Sequence, residues 1–237
     1  MTSAEELYDV LPSDRNRRAV GRSMRAAVAE MPHVTLHARA DASALVAARA
    51  GLNARADVPR LSLTAVLARV VVEALREYPR VNGRTEEGEI RLYKRVNLGV
   101  AVALEDGLTV PVLRDAQEMD VDAVGAAIVD VSDRARSGRI KLADLADATF
   151  TLSTLGAHGV EFFTPIINPP QLAILGVGAV RDEIRLQNGS PVAVPVLYLS
   201  LSFDHAAMDG VQAARFLELL VAKVEAGGPD RPAAGGS

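Results

Sequence analysis

No cysteine occurs among the 237 residues, which excludes a disulfide framework, thiolate metal sites and a cysteine nucleophile. Neither sign of charge prevails. With 26 Lys and Arg against 30 Asp and Glu, the net charge of −4 gives no electrostatic reason to expect nucleic acid as a partner. No uninterrupted apolar window reaches the ~18 residues that a membrane-spanning helix needs, so no membrane is expected either. The opening MTSAEELYDVLPSDR is acidic and then polar, unlike the basic and then apolar start of a secretory leader. The cytoplasm is the expected compartment. Internal repeats and interior linkers are also lacking, and one domain is the simplest expectation.

The composition that remains is ordinary for a globular protein, 49% hydrophobic and 24% charged. At this length roughly 70–75% of the surface of the unfolded chain should be buried, enough for stability without covalent staples. Two ends read as loose: residues 1–11 and the Gly-, Pro- and Ala-rich tail GGPDRPAAGGS at 227–237. Residues 12–226 between them read as one folded unit.

Helical and strand signals interleave along that unit. In DRNRRAVGRSMRAAVAEM, residues Val20, Met24, Ala27, Val28 and Met31 recur at helical spacing, with Ser13 as a candidate cap. Residues 33–40 alternate, placing Val34, Leu36 and Ala38 on one face of a strand and His33, Thr35, His37 and Arg39 on the other. Ser62 opens LTAVLARVVVEALREY, apolar around most of its circumference and therefore a buried helix. Asn82-Gly83 reads as a turn. EIRLYK, the longer VNLGVAVAL and LTVPVLRDA read as strands, the last two joined across Asp106-Gly107. A helix is expected over 120–137, strands over 149–154, 172–181 and 193–203, and a final helix over 211–226. The last two strands are expected to join across Asn188-Gly189. Mixed strands and helices of this kind make an α/β domain.

The most informative segment is LYLSLSFDHAAMDGVQAARF (197–216). A β-rich run ends in Asp204-His205, and Asp209-Gly210 opens a helix four residues after the histidine. A histidine at a strand end is held rigidly while its imidazole faces a cleft, and the near-neutral pKa of imidazole suits a general base. Asp209 at a helix N-terminus can cap that helix and brace the turn presenting the histidine. Read alone, the string also describes a surface histidine followed by a cap.

In context it resembles the hallmark of the catalytic domain of the 2-oxoacid dehydrogenase dihydrolipoamide acyltransferases, a family related in fold to chloramphenicol acetyltransferase. That hallmark, S-x-D-H-R-x-x-D-G-A-x-A-A-R-F, is similar to the run from Ser202 to Phe216. A second block, TFTLSTLGAHGVEFFTPIINPPQLAILGVG (149–178), resembles the family's T-F-T-I-S-N-L-G…F-T-P-I-I-N-P-P-Q…A-I-L-G-V-G nearly residue by residue. A third, VNLGVAVALEDGLTVPVLRDA (96–116), resembles its V-x-I-G-V-A-V-A-T-x-D-G-L-x-V-P-V-I-R-D-A. Weaker similarity covers 17–24 and 32–36.

The resemblance implies a chloramphenicol-acetyltransferase-like α/β fold, a mixed β-sheet packed with helices, assembling as a homotrimer. It implies transfer of an acyl group between CoA and a dihydrolipoyl thiol carried on another domain or chain, within a 2-oxoacid dehydrogenase complex. By position, His205 matches the catalytic base and Ser153 the oxyanion-stabilising hydroxyl, while Asp209 braces the His205 loop. In the family the base and the hydroxyl come from neighbouring chains and meet in a channel, with CoA entering at one end and the lipoyl arm at the other. Arg17, Arg22, Thr154 and His158 are the residues expected at the CoA and its acyl group. For the two arginines, on a basic face with Arg18 and Arg25, the alternative is simple solvation. The chemistry is coherent: thiol-to-thiol transfer needs a base for a thiol of pKa about 8.5 or above and a donor for the tetrahedral oxyanion, but no enzyme nucleophile.

Departures from the pattern matter. The Arg after the histidine is Ala206, the Asn after the serine is Thr154, and the Gly-Gly before T-F-T is Asp147-Ala148. No lipoyl domain appears, so either the chain is a catalytic core or the lipoyl arm arrives on a partner. The tail lacks the large apolar residues with which trimers of the family join into cubic or dodecahedral cages, and no cage is expected. Ala206 also leaves open a chloramphenicol-type O- or N-acetyltransferase acting on a small molecule. An inactive trimeric scaffold is the other rival. The run VEFFTPIINPPQ leans toward small acyl groups. His33 and His37 lie four apart, but on a strand and without a third ligand; exposure, not a metal, is expected of them.

Overall fold

A computed structural model describes residues 9, 13, 15–55, 59–104 and 107–229. In chain order the first half forms α1 (Arg15–Glu30), β1 (His33–Asp41), α2 (Ser43–Asn53), α3 (Leu63–Glu77), β2 (Gly83–Glu86), β3 (Glu89–Leu92), β4 (Leu98–Val100) and β5 (Val102–Leu104). The second forms β6 (Gly107–Thr109), β7 (Val112–Leu113), α4 (Val121–Arg136), β8 (Phe150–Thr154), β9 (Ala173–Val177), β10 (Arg181–Gln187), β11 (Ser190–Asp204) and α5 (Gly210–Glu225).

A seven-stranded sheet runs in the order β1-β11-β9-β8-β4-β7, with β10 paired to the first half of β11. β9–β8 and β8–β4 are parallel and the other pairs antiparallel, giving the expected mixed sheet. Alternation assigns its faces. Val34, Leu36 and Ala38 pack with Leu197, Leu199, Leu201, Phe203, Leu175 and Leu152 against the helices. Ser62 caps α3 by accepting from Ala65 N (3.0 Å), and Val66, Leu67, Val70 and Leu75 of that helix are fully buried. Phe216 of α5 packs edge-on against Phe150, ring centroids 5.9 Å apart.

The opposite face is polar and lies under the segment 155–172. Phe162 contacts His37 edge-on and also approaches Tyr198, centroids 5.6 Å apart in each case. The Phe163 ring lies where a side chain on Gly176 would stand, 2.9 Å from an added Cβ. Ile167 N donates to His33 Nε2 (3.1 Å), so the proton of that imidazole is on Nδ1, which donates to Met31 O (2.8 Å). His37 Nδ1 shares a hydrogen bond with Ser200 Oγ (2.8 Å). His33 is half-buried and His37 is exposed as expected, yet both are tied into the polar face, and among the described residues no metal-holding group forms.

Several local expectations change. The strand expected over 96–104 breaks at Ala101, whose amide bonds to Leu152 O, and β5 leaves the main sheet to pair with β6. The run 107–116 breaks likewise at Val110-Pro111. Asn82-Gly83 is not the turn of a hairpin. Asn82 is buried with Nδ2 donating to Tyr93 O and Arg95 O, and the β2–β3 turn is Glu87-Gly88, both at positive φ. Across Asn188-Gly189 the strand joined to β11 is β10, not β9. The helix α2 has no counterpart among the expected elements. Beyond α5, Gly227 N and Gly228 N bond back to Val224 O and Lys223 O. Most of the N-terminal segment 1–11, Asp106 and the tail residues 230–237 lie outside the described residues.

Candidate active site

The turn carrying His205 follows directly from β11. Asp204 is buried; its Oδ1 accepts from Ala206 N (3.0 Å), and its carbonyl accepts from Ala207 N (3.0 Å) and Met208 N (3.1 Å). His205 N donates to Pro32 O (2.9 Å), tying the turn to the chain entering β1. The imidazole itself is exposed, tilted against Phe203 with centroids 5.6 Å apart. Rigid backbone under an open ring is the arrangement a general base needs.

Asp209 caps α5 in a reciprocal box. Its Oδ1 accepts from Gln212 N (2.9 Å) while Asp209 N donates to Gln212 Oε1 (3.3 Å). The expected cap of α5 is thus present. Asp209→Ala should cost about 1 kcal/mol of stability and Asp209→Asn much less, since asparagine caps as well; urea unfolding midpoints of the two variants check this.

Ser153 lies on the polar face near the C-terminal end of β8, in register with Gly176 and, through it, with Ser200. Neighbouring hydroxyls on this face are engaged. Thr151 Oγ1 donates to Gln171 Oε1 (2.7 Å), Ser200 bonds His37, and Ser202 Oγ shares a bond with Thr35 Oγ1 (2.7 Å). Among the described residues Ser153 Oγ has no hydrogen-bond partner. The Phe163 ring, over Gly176, stands beside it.

His205 and Ser153 do not meet within one chain. β11 runs antiparallel to β9 and β8, so the end of β11 and the end of β8 are at opposite ends of the sheet. From Ser200, the register position of Ser153, His205 is five residues further along and two strands across, a separation of roughly 19 Å at standard strand spacings.

The remaining candidates scatter. Thr154 points to the helical side, opposite Ser153, and lines a cavity of about 470 Å³ with Leu63, Leu67, Gly156 and Arg181. His158 is exposed in the single 3₁₀ turn Gly156–His158 after β8. Arg17 and Arg22 are exposed on α1, one end of which is tied by an Arg18 guanidinium bond to Ser13 O. A further cavity of about 1460 Å³ holds none of these residues. It lies among the helices and is lined by ion pairs such as Arg69–Glu73 (3.2 Å) and Arg55–Asp122 (2.6 Å). Size and chemistry disagree here, and the free hydroxyl and the exposed imidazole are better markers of reactivity than volume. Sequence reasoning missed Arg80, whose guanidinium reaches the His205 turn; nothing in its local pattern, YPRVN, signals this.

The family described as "2-oxoacid dehydrogenases acyltransferase (catalytic domain)" matches residues 5–228. The chain belongs to this family. It is 35% identical over 225 residues to the dihydrolipoyllysine-residue acetyltransferase component of the acetoin cleaving system of Bacillus subtilis (strain 168), covering 94% of this chain and 56% of that protein. The chain thus spans about half the length of the curated relatives it matches. Among solved structures, a probable dihydrolipoamide acetyltransferase from Listeria monocytogenes 4b F2365 superposes with a TM-score of 0.88 at 28% identity, over 95% of this chain and 98% of that one. The dihydrolipoamide acetyltransferase of Azotobacter vinelandii superposes at 0.86 with 30% identity, over 92% and 91% of the two chains. That structure was part of an investigation of a serine, a histidine and an asparagine in the catalytic mechanism; the first two are 52 positions apart and the asparagine lies four beyond the histidine. Chloramphenicol acetyltransferase superposes at 0.53 with 14% identity, a likeness of fold alone.

Proposed function

We propose that this catalytic domain transfers a small acyl group between CoA and a dihydrolipoyl thiol, as a core component of a 2-oxoacid dehydrogenase complex. The observation that carries the reading is the pairing of an exposed imidazole with an unengaged hydroxyl. His205 follows Ser153 by the same 52 positions that separate histidine and serine in the Azotobacter enzyme, and Asp209 stands where that enzyme has its asparagine.

In the proposed reaction His205 takes the proton of the incoming thiol. The thiolate attacks the thioester carbonyl carbon, and the new C–S bond leaves a tetrahedral oxyanion that the Ser153 hydroxyl stabilises. Collapse breaks the original C–S bond, and the departing thiolate recovers the proton from His205. No covalent acyl-enzyme is required. The separation of His205 and Ser153 along the sheet supports a site assembled from two chains of a homotrimer, the base from one and the hydroxyl from the next. Arg17 and Arg22 are assigned to CoA phosphates, Thr154 and His158 to the neighbourhood of the acyl group, and the lipoyl arm to another domain or chain. Residues 12–226 are taken as the catalytic unit, working in the cytoplasm.

Thioester formation from a panel of acyl-CoAs with free dihydrolipoamide tests the reading. Transfer is expected, with the shortest acyl groups preferred. Absence of transfer from every donor by a folded trimer would contradict it, and transfer to a small-molecule hydroxyl or amine instead would favour the chloramphenicol-type reaction that Ala206 leaves open.

A further inference from the structure

The His205 turn is pinned by backbone bonds to Asp204 and Pro32, but these leave the Ala207 carbonyl and the Gln212 side chain to be held from elsewhere. Both face Arg80, half-buried in the 3₁₀ turn Pro79–Val81 that follows α3. Its Nη2 donates to Ala207 O (3.4 Å) and its Nε donates to Gln212 Oε1 (3.3 Å). The same Gln212 oxygen accepts from Asp209 N (3.3 Å), so the guanidinium adds to the capping box of α5. One planar group therefore ties the loop after His205 to the first turn of the helix behind it.

The structure assigns Arg80 as a positioning residue for His205, a clamp from the end of α3 that fixes the turn presenting the imidazole. The assignment rests on the reading of His205 as the base. At 206, where the resembling pattern carries arginine, this chain has alanine, and Arg80 brings a guanidinium to the same turn from 126 positions earlier in the chain. The two acceptors diverge, one a backbone carbonyl and one a side-chain amide. A guanidinium spans them with its geometry already set, whereas the single ammonium of lysine is a point donor on a flexible stem. The demand on position is strict, because a displacement of about 1 Å at a reacting group can cost on the order of 10²-fold in rate.

The test compares wild type, Arg80→Ala and Arg80→Lys in the full chain, with two readouts. In acyl transfer, Arg80→Ala should lose about tenfold or more in kcat with KM for acyl-CoA nearly unchanged. Guanidinium ion at low, non-denaturing concentration should restore part of that loss, whereas ammonium ion should not. Arg80→Lys should recover less than added guanidinium does. In hydrogen exchange, the Asp209 amide should exchange several-fold faster in Arg80→Ala, with core amides of β9 unchanged. A kcat within twofold of wild type, or a loss that guanidinium fails to relieve, overturns the assignment. If wild type itself transfers nothing while the Asp209 amide responds as expected, the clamp stands and the reading of the reaction falls. An active wild type with no response in either readout removes the clamp and leaves the reaction intact.

Discussion

Replacing His205 by alanine is expected to lower kcat for acyl transfer by roughly 10²–10⁴-fold, the range that a positioned general base supplies. The fold should survive, because the imidazole is exposed and the turn is held through backbone groups of residues 204–208 and the Asp209 cap. The loss should be smaller when the acceptor thiol is replaced by one of lower pKa, since less of the base's work remains to be done. Steady-state kinetics on dihydrolipoamide and on a more acidic thiol, with circular dichroism of the variant alongside, checks both points. An activity within tenfold of wild type would remove His205 from the role of base.

The second large effect concerns packing above the polar face. Gly178 follows β9, and a Cβ there would stand 1.6 Å from Glu161 O and 2.4 Å from Glu161 C. These are backbone atoms and no rotamer relieves them, so Gly178→Ala must push the segment 155–172 off the sheet. That segment holds Phe163 over Gly176 beside Ser153, and it is tied down by Ala179 N to Val160 O (2.7 Å) and Ile167 N to His33 Nε2 (3.1 Å). A destabilisation of about 3 kcal/mol or more is expected, at the upper end of overpacking costs, together with a fall in activity. Gly189→Ala is the control. Gly189 sits at positive φ, but no atom lies within 4 Å of its added Cβ, so its cost should be conformational strain alone and activity should be kept. Urea midpoints and specific activities of the two variants separate the effects.

Much of this architecture is readable in the sequence because burial is one-sided. The alternation of Val34, Leu36 and Ala38 with His33, Thr35 and His37 marks β1 because one face meets the helices and the other the polar layer. Ser62 opens α3 as expected, and the helix expected over 120–137 is α4, whose cap is Asp120; each of the two side chains accepts from the amide three residues on. α2 escapes because SALVAARAGLN is dominated by alanine, which fixes no apolar face; Leu45 is its one buried side chain. β10 escapes because RDEIRLQ pairs on only one edge and reverses the usual alternation, with Ile184 and Leu186 exposed and Glu183 and Arg185 half-buried. Asn82-Gly83 misleads because the asparagine amide serves two distant carbonyls instead of a local turn.

The site divides in the same way. His205 and Asp209 stand in one short string and are recognisable together. Ser153 is marked by resemblance, and its unengaged hydroxyl becomes evident only when Thr151, Ser200 and Ser202 are seen to be occupied. Arg80 has no local signal, since its acceptors belong to α5 and the turn before it, more than 120 positions away.

The central claim is that the base and the oxyanion hydroxyl come from different chains, and subunit complementation tests it most directly. His205→Ala and Ser153→Ala are each prepared as nearly inactive homotrimers, then unfolded together in equal amounts and refolded as mixed trimers. If each site joins His205 of one chain to Ser153 of the next, about a quarter of the interfaces regain both wild-type groups, and activity should return to about a quarter of the wild-type level. If the mixture stays as inactive as its parents although the trimers have exchanged chains, the two residues do not act across an interface, and the account is wrong.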